Sequence, residues 1–245
     1  MRLIAPKCML VPLVLIFINC KQAKTGPLKP SVDAPSCQLN LVSDMAISKP
    51  DGVFRAHRTL STIKIDCCNN DKTWATADWY DMNYAWMGKP VDSMDYQGRF
   101  KLAWNSQHLY VLIEIIDEHL NPTLADGQEN YWKGDYVEVF IDEDQSGGIH
   151  KFNHQAFAYH VTTEGHTIDK NKLQKTIFLD NHIDVERSNE GHKYLWEMAI
   201  SLFDNQFDEN STTNIPVKIF NDKSIGFSIA YGDNDGANSR ENFMG

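Results

Sequence analysis

Clustered basic residues are missing from this 245-residue sequence, which sets 23 Lys and Arg against 33 Asp and Glu for a formal charge of −10. Phosphate contacts need gathered Lys and Arg, so a nucleic-acid partner is not expected. Cysteine is scarce, at Cys8, Cys20, Cys37, Cys67 and Cys68, and no Cys-x-x-Cys pair marks a structural zinc site. Gly-x-Ser-x-Gly does not occur, which removes the serine hydrolase elbow. His-Glu-x-x-His is absent too, so the run of His150, His154, His160 and His166 lacks helical zinc spacing and reads as exposed or hydrogen-bonded histidines. No stretch keeps a helical period over about twelve residues, which argues against helical architecture.

What is present begins with an export signal. Arg2 and Lys7 precede an apolar run from Met9 to Ile18 that ends at Asn19-Cys20. That run is shorter than the ~20 residues of a spanning helix, so residues 1–19 read as a signal peptide. Cys20 directly after it resembles the lipid-bearing cysteine of a bacterial lipoprotein, a reading favoured over simple secretion. It implies a chain held by lipid in the cell envelope. Residues 20–52, with Pro27, Pro30, Pro35 and Pro50, read as a tether. An oxidising compartment allows one disulfide, Cys37 to Cys67 or Cys68.

Residues 53–245 read as one all-β domain. Short apolar or alternating runs at Thr62–Asp66, Phe100–Trp104, Leu109–Ile116, Tyr136–Asp142, Gln155–Val161, Ile177–Leu179, Ile183–Val185, Tyr194–Ile200 and Ser224–Tyr231 are joined by Gly, Asn, Asp and Ser turns. This pattern predicts an antiparallel β-sandwich of jelly-roll type. Leu109–Ile116 is apolar enough for burial on both faces. Trp104 and Trp196 are expected in the core.

The central stretch runs from Tyr131 to Gly148. Alternation puts Val137, Val139 and Ile141 on one face and Tyr136, Glu138, Phe140 and Asp142 on the other. The second face mixes rings with carboxylates, as a polar ring-shaped ligand requires. Asp142, Asp144 and Ser146 offer oxygens at alternate positions before glycine, like the opening of a calcium loop. The twelfth position is Asn153, so an EF-hand is rejected.

Trp74, Ala77 and Trp79, then Gly98–Trp104, Leu109-Tyr110-Val111, Trp132–Asp142, and Phe227–Asp235 followed by Arg240, stand in an order that resembles family 9 carbohydrate-binding modules. The resemblance implies a sandwich that binds an oligo- or polysaccharide, often at a chain end, with structural calcium nearby. It implies a platform at Trp132 with Glu138, Asp135, Asn234 and Arg240 on the hydroxyls, and Tyr159 and Gln155 on the adjacent strand. The family's second stacking tryptophan lies late in the domain. Here no Trp follows Trp196, and Phe243 or Tyr231 stands as its replacement.

Binding without catalysis is the favoured reading. Glu138 and Asp142 lie four residues apart on one strand face, about 13 Å, too far for a glycosidase pair. The rivals are a glycoside hydrolase or its accessory part, a structural or protein-binding lipoprotein, and a haem domain using Met198 and His160.

Overall fold

The structure is a computed structural model, and it describes residues 52–245 except 69, 90, 94, 123–129 and 148–151. The leader, the tether through residue 51, Cys20, Cys37 and His150 lie outside the described residues. In chain order the elements are β1 (His57–Arg58), helix α1 (Lys72–Thr76), β2 (Tyr80–Asp81), β3 (Ala85–Met87), β4 (Tyr96–Trp104), β5 (Leu109–Asp117) and β6 (Tyr136–Asp142). There follow β7 (Phe157–Thr162), β8 (Thr167–Lys170), β9 (Thr176–Phe178), β10 (Ile183–Glu190), β11 (Lys193–Ile200), β12 (Gly226–Asp233) and β13 (Asn242–Met244).

The strands form two sheets. The first runs β1-β4-β5-β11-β10, with β2 also on β4, and the second runs β3-β13-β12-β6-β7-β8-β9. The named ladders are antiparallel apart from β1 on β4. This is the β-sandwich that the sequence predicts.

Period-two alternation divides every central strand between two environments. Phe100, Leu102, Val111, Ile113 and Ile115 from the first sheet meet Val137, Val139, Ile141, Ile229 and Tyr231 from the second in the main core. Trp196 lies fully buried among them. The other face of the first sheet is covered as well. Tyr110, Leu112, Ala103, Leu195 and Ala199 pack against Ile63, Cys67, Trp74, Ala77 and Trp79 from the segment before β2. Leu109–Asp117 is therefore buried on both sides, as its composition predicts.

That covering segment departs from the sequence reading. Thr62–Asp66 forms no strand, and side chains take two of its backbone donors, Asp71 that of Lys64 and Glu197 that of Asp66. Glu197 Oε2 accepts Asp66 N at 2.9 Å and Cys67 N at 2.7 Å, and Oε1 accepts Trp74 Nε1 at 2.7 Å. One fully buried carboxyl thus ties the cover to the sheet, and burial raises its pKa. Trp74 sits on α1, a single turn. Trp104 is only partly buried at the end of β4, beneath Arg58 at 5.5 Å. Cys68 is disulfide-bonded to a partner outside the described residues, while Cys67 is a free thiol that burial pushes up to about 12. Met198 faces the main core and His160 the opposite side of the second sheet, so they cannot act as a haem pair.

Glu197→Ala leaves three donors unanswered, two of them buried. Urea unfolding is expected to show a loss of about 3 kcal/mol.

Candidate functional site on the outer face of the second sheet

The outer face of the second sheet carries a smaller apolar cluster, Tyr136, Ala230 and Phe243, with Trp132 and Phe140 packed on it. Alternation explains its composition. Tyr136, Glu138, Phe140 and Asp142 of β6 pair with Gly232, Ala230, Ser228 and Gly226 of β12. On the other side, Tyr136, Glu138 and Phe140 pair with Thr162, His160 and Ala158 of β7. A lane of small side chains thus runs beside a lane of rings and carboxylates. Gly232 has no room for a Cβ, which would meet the Tyr136 ring at 2.5 Å.

Aromatic rings flank this surface. Trp86 of β3 is 42% exposed and leans on Phe243 (centroids 5.3 Å) and Phe140 (6.0 Å). Trp132 is partly exposed, edge-on to Tyr131 at 5.1 Å, with Lys170 Nζ 5.0 Å over its ring. A cleft of about 520 Å³ adjoins them, lined among others by Tyr131, Glu138, Phe140, His160, Asp169 and Lys170.

The polar centre is Glu138. Its Oε2 lies 3.2 Å from His160 Nε2 and 3.7 Å from Arg240 Nη1. Arg240 also donates to the Tyr136 hydroxyl and stacks 4.1 Å over Phe243. His160 Nδ1 lies 3.2 Å from the Ala158 carbonyl, which can only accept. That contact places the proton on Nδ1 and leaves Nε2 as an acceptor. Nε2 then needs a protonated Glu138. Burial supplies this, pushing Glu138 up to about 8 against the pull of Arg240, and His160 down to about 3. The neutral pair is favoured over the ion pair because both groups are desolvated. Burial likewise raises Asp169 to about 7.

The structure brings together Trp132, Glu138 and Arg240. It gives Asp135 and Asn234 a different task. Asp135 is fully buried, and its carboxylate accepts the backbone N–H of Asn121 and of Asn234. The Asn234 side chain donates to the Lys133 carbonyl and accepts from Gly236 and Ala237 N–H. These two residues clamp the Trp132 loop to the segment that carries Arg240. Tyr159 is not on this face. It pairs with Val139, is buried in the main core and bonds His182 Nδ1 at 2.9 Å. Gln155 lies in an exposed turn before β7. Tyr231 is also in the main core, bonded to Asp117.

The acidic turn is satisfied internally. Asp142 and Asp144 accept Ser146 N, and Asp142 accepts Gly147 N. His154, His160 and His166 do not converge. His154 stacks on Phe157, and His166 reaches Asp180 at 3.1 Å.

Sequence reasoning missed Trp86, Asp169 and Lys170. Trp86 left a trace as a large ring in a polar stretch. The other two sit on a strand too short to read by alternation.

A sheet face with rings around a buried polar centre defines a ligand-binding β-sandwich of the carbohydrate-module class. Residues 65–245 match the family model described as carbohydrate family 9 binding domain-like, and the chain belongs to that family. No curated protein matches the sequence. The fold is similar to a family 9 carbohydrate-binding module from Caldicellulosiruptor kristjanssonii solved with glucose, at 18% identity and TM-score 0.55 over 78% of this chain and 83% of that one. The same module solved with cellotriose matches at 18% identity and TM-score 0.54, over the same shares of each chain.

The neutral pair has a signature in stability. Unfolded, Glu138 loses its proton near 4.5 and His160 near 6.5; folded, the values are about 8 and about 3. Between pH 4.5 and 6.5 each state holds one proton on the pair, so it adds no slope. From 6.5 to 8 the folded pair keeps a proton that the unfolded chain has lost, and stability falls as pH rises. Below 4.5 the unfolded chain binds the extra proton, and stability falls as pH drops. Glu138→Gln keeps a donor toward Nε2 and cannot ionise. Its urea midpoint is expected to decline less than the wild type's between pH 6.5 and 8.

Proposed function

We propose that this chain binds an oligo- or polysaccharide on the outer face of its second sheet, without cleaving it. One observation carries the placement: Trp86 and Trp132 present rings around the buried Glu138–His160–Arg240 centre. Sugar rings offer apolar C–H faces to aromatics and hydroxyls to paired donors and acceptors. Protonated Glu138 spends its proton on His160 and keeps acceptor capacity, and Arg240 donates, so the centre suits uncharged hydroxyls. Glucose and cellotriose, the ligands of the similar module, head the panel to be tested. The sequence pattern around Cys20 supports a lipid anchor in the cell envelope, which would hold captured glycan at the cell surface for breakdown.

Calorimetric titration with glucose, cello-oligosaccharides and a wider glycan set tests the reading. Trp86→Ala and Trp132→Ala are each expected to weaken binding about tenfold, from ~1.5 kcal/mol of lost ring contact. Unchanged affinity in both variants would remove the site from this face. Release of reducing sugar by the purified chain would replace binding with glycosidase activity.

A further inference from the structure

The cleft beside the polar centre changes character along its length. Glu138, His160 and Asp169 line it at one end. Two residues further along β6, about 7 Å at strand spacing, Phe140 also lines it and is partly exposed. Register puts Ala158 of β7 on one side of that residue and Ser228 of β12 on the other. Both are partly exposed and line the cleft. The result is a trough with a flat ring between small side chains.

This trough does not suit a second sugar. The carboxylates that border it serve main-chain donors. Asp169 accepts Ala158 N at 3.2 Å and Lys170 N at 2.6 Å. Asp142, at the far end, accepts Ser146 N and Gly147 N. Between them the lining is mostly apolar, and sugar hydroxyls laid there without partners would cost free energy. The space is nevertheless ample, because the cleft of about 520 Å³ is in the range that takes a drug-sized ligand. Phe152 lines it too and holds a left-handed backbone, with φ 58°. A bulky residue adopts that conformation at a cost of ~1–3 kcal/mol, and such strain collects at ligand clamps.

We infer that the ligand carries an aromatic group bonded to the sugar unit held at Glu138, and that this group lies on Phe140 between Ala158 and Ser228. The inference rests on the sugar-binding reading of the same face and names the class of ligand within it, an aryl-substituted glycan. The step of ~7 Å from Glu138 to Phe140 is about the width of one sugar ring, so a group bonded to that ring reaches the trough. An aromatic group gains apolar burial and ring stacking together, whereas an alkyl group gains burial alone.

Calorimetry on the full chain compares para-nitrophenyl with methyl β-glycosides of glucose, cellobiose and xylose. The aryl glycoside is expected to bind at least ~10-fold more tightly than its methyl partner. Ser228→Leu and Ala158→Leu fill the trough from either side, and each is expected to bring that ratio close to one. Trp132→Ala is expected to weaken both glycosides and keep their ratio. Equal affinities for aryl and methyl glycosides in the wild type overturn this inference and leave the sugar reading standing, whether or not a variant folds. A ratio unchanged in both folded leucine variants, or lost in Trp132→Ala, also overturns it. Absence of binding by every glycoside overturns both readings. So does para-nitrophenol binding as tightly as its glycosides, since the ring would then be held without the sugar.

Discussion

Strand β6 is buried on both of its faces, and this constraint organises the molecule. A strand in that position can spare no residue. Val137, Val139 and Ile141 close the space between the sheets, while Tyr136 and Glu138 lie beneath the outer rings. A carboxyl so placed cannot keep its charge cheaply. Glu138 answers by keeping a proton and donating it in a hydrogen bond to His160, which its register places directly opposite. The polar centre is therefore a product of strand pairing.

The two sheets treat their outer faces differently. The first is sealed by the segment running through Trp74 and Trp79, fastened by Glu197. The second exposes Trp86 and carries a cleft. This asymmetry explains why the cleft beside Glu138 stays open on the outer face of the second sheet. It also explains why Trp74 and Trp79, which belong to the family pattern, serve packing.

Alternation made much of this legible in the sequence. The split of β6 into a core face and a mixed face, the double burial of Leu109–Asp117 and the antiparallel pairing all follow from period two. Family order added Trp132, Glu138 and Arg240. Contacts set by loops and by distant pairing stayed hidden. Nothing local marks Asp135 and Asn234 as a clamp, because their partners lie up to 101 residues apart in sequence. Tyr159 and Gln155 were misplaced because β7 begins at Phe157, which puts Tyr159 inward in step with Val139. Thr62–Asp66 alternates like a strand but joins no ladder, and Asp71 and Glu197 accept from Lys64 N and Asp66 N instead.

The lane of small side chains on β12 carries a consequence for divergence. Its inward residues, Ile229 and Tyr231, are committed to the core. Of the outward ones, Gly232 is pressed against Tyr136, a Cβ at Gly226 would meet that of Asp142 at 2.9 Å, and Ala230 is fully covered. Gly226 and Ser228 are the partly exposed members and both line the cleft, but only Ser228 has a side chain there and no close contact that a larger one must displace. Volume and polarity can change there without disturbing the core. Side-chain size at that one position can thus vary while folding stability changes little.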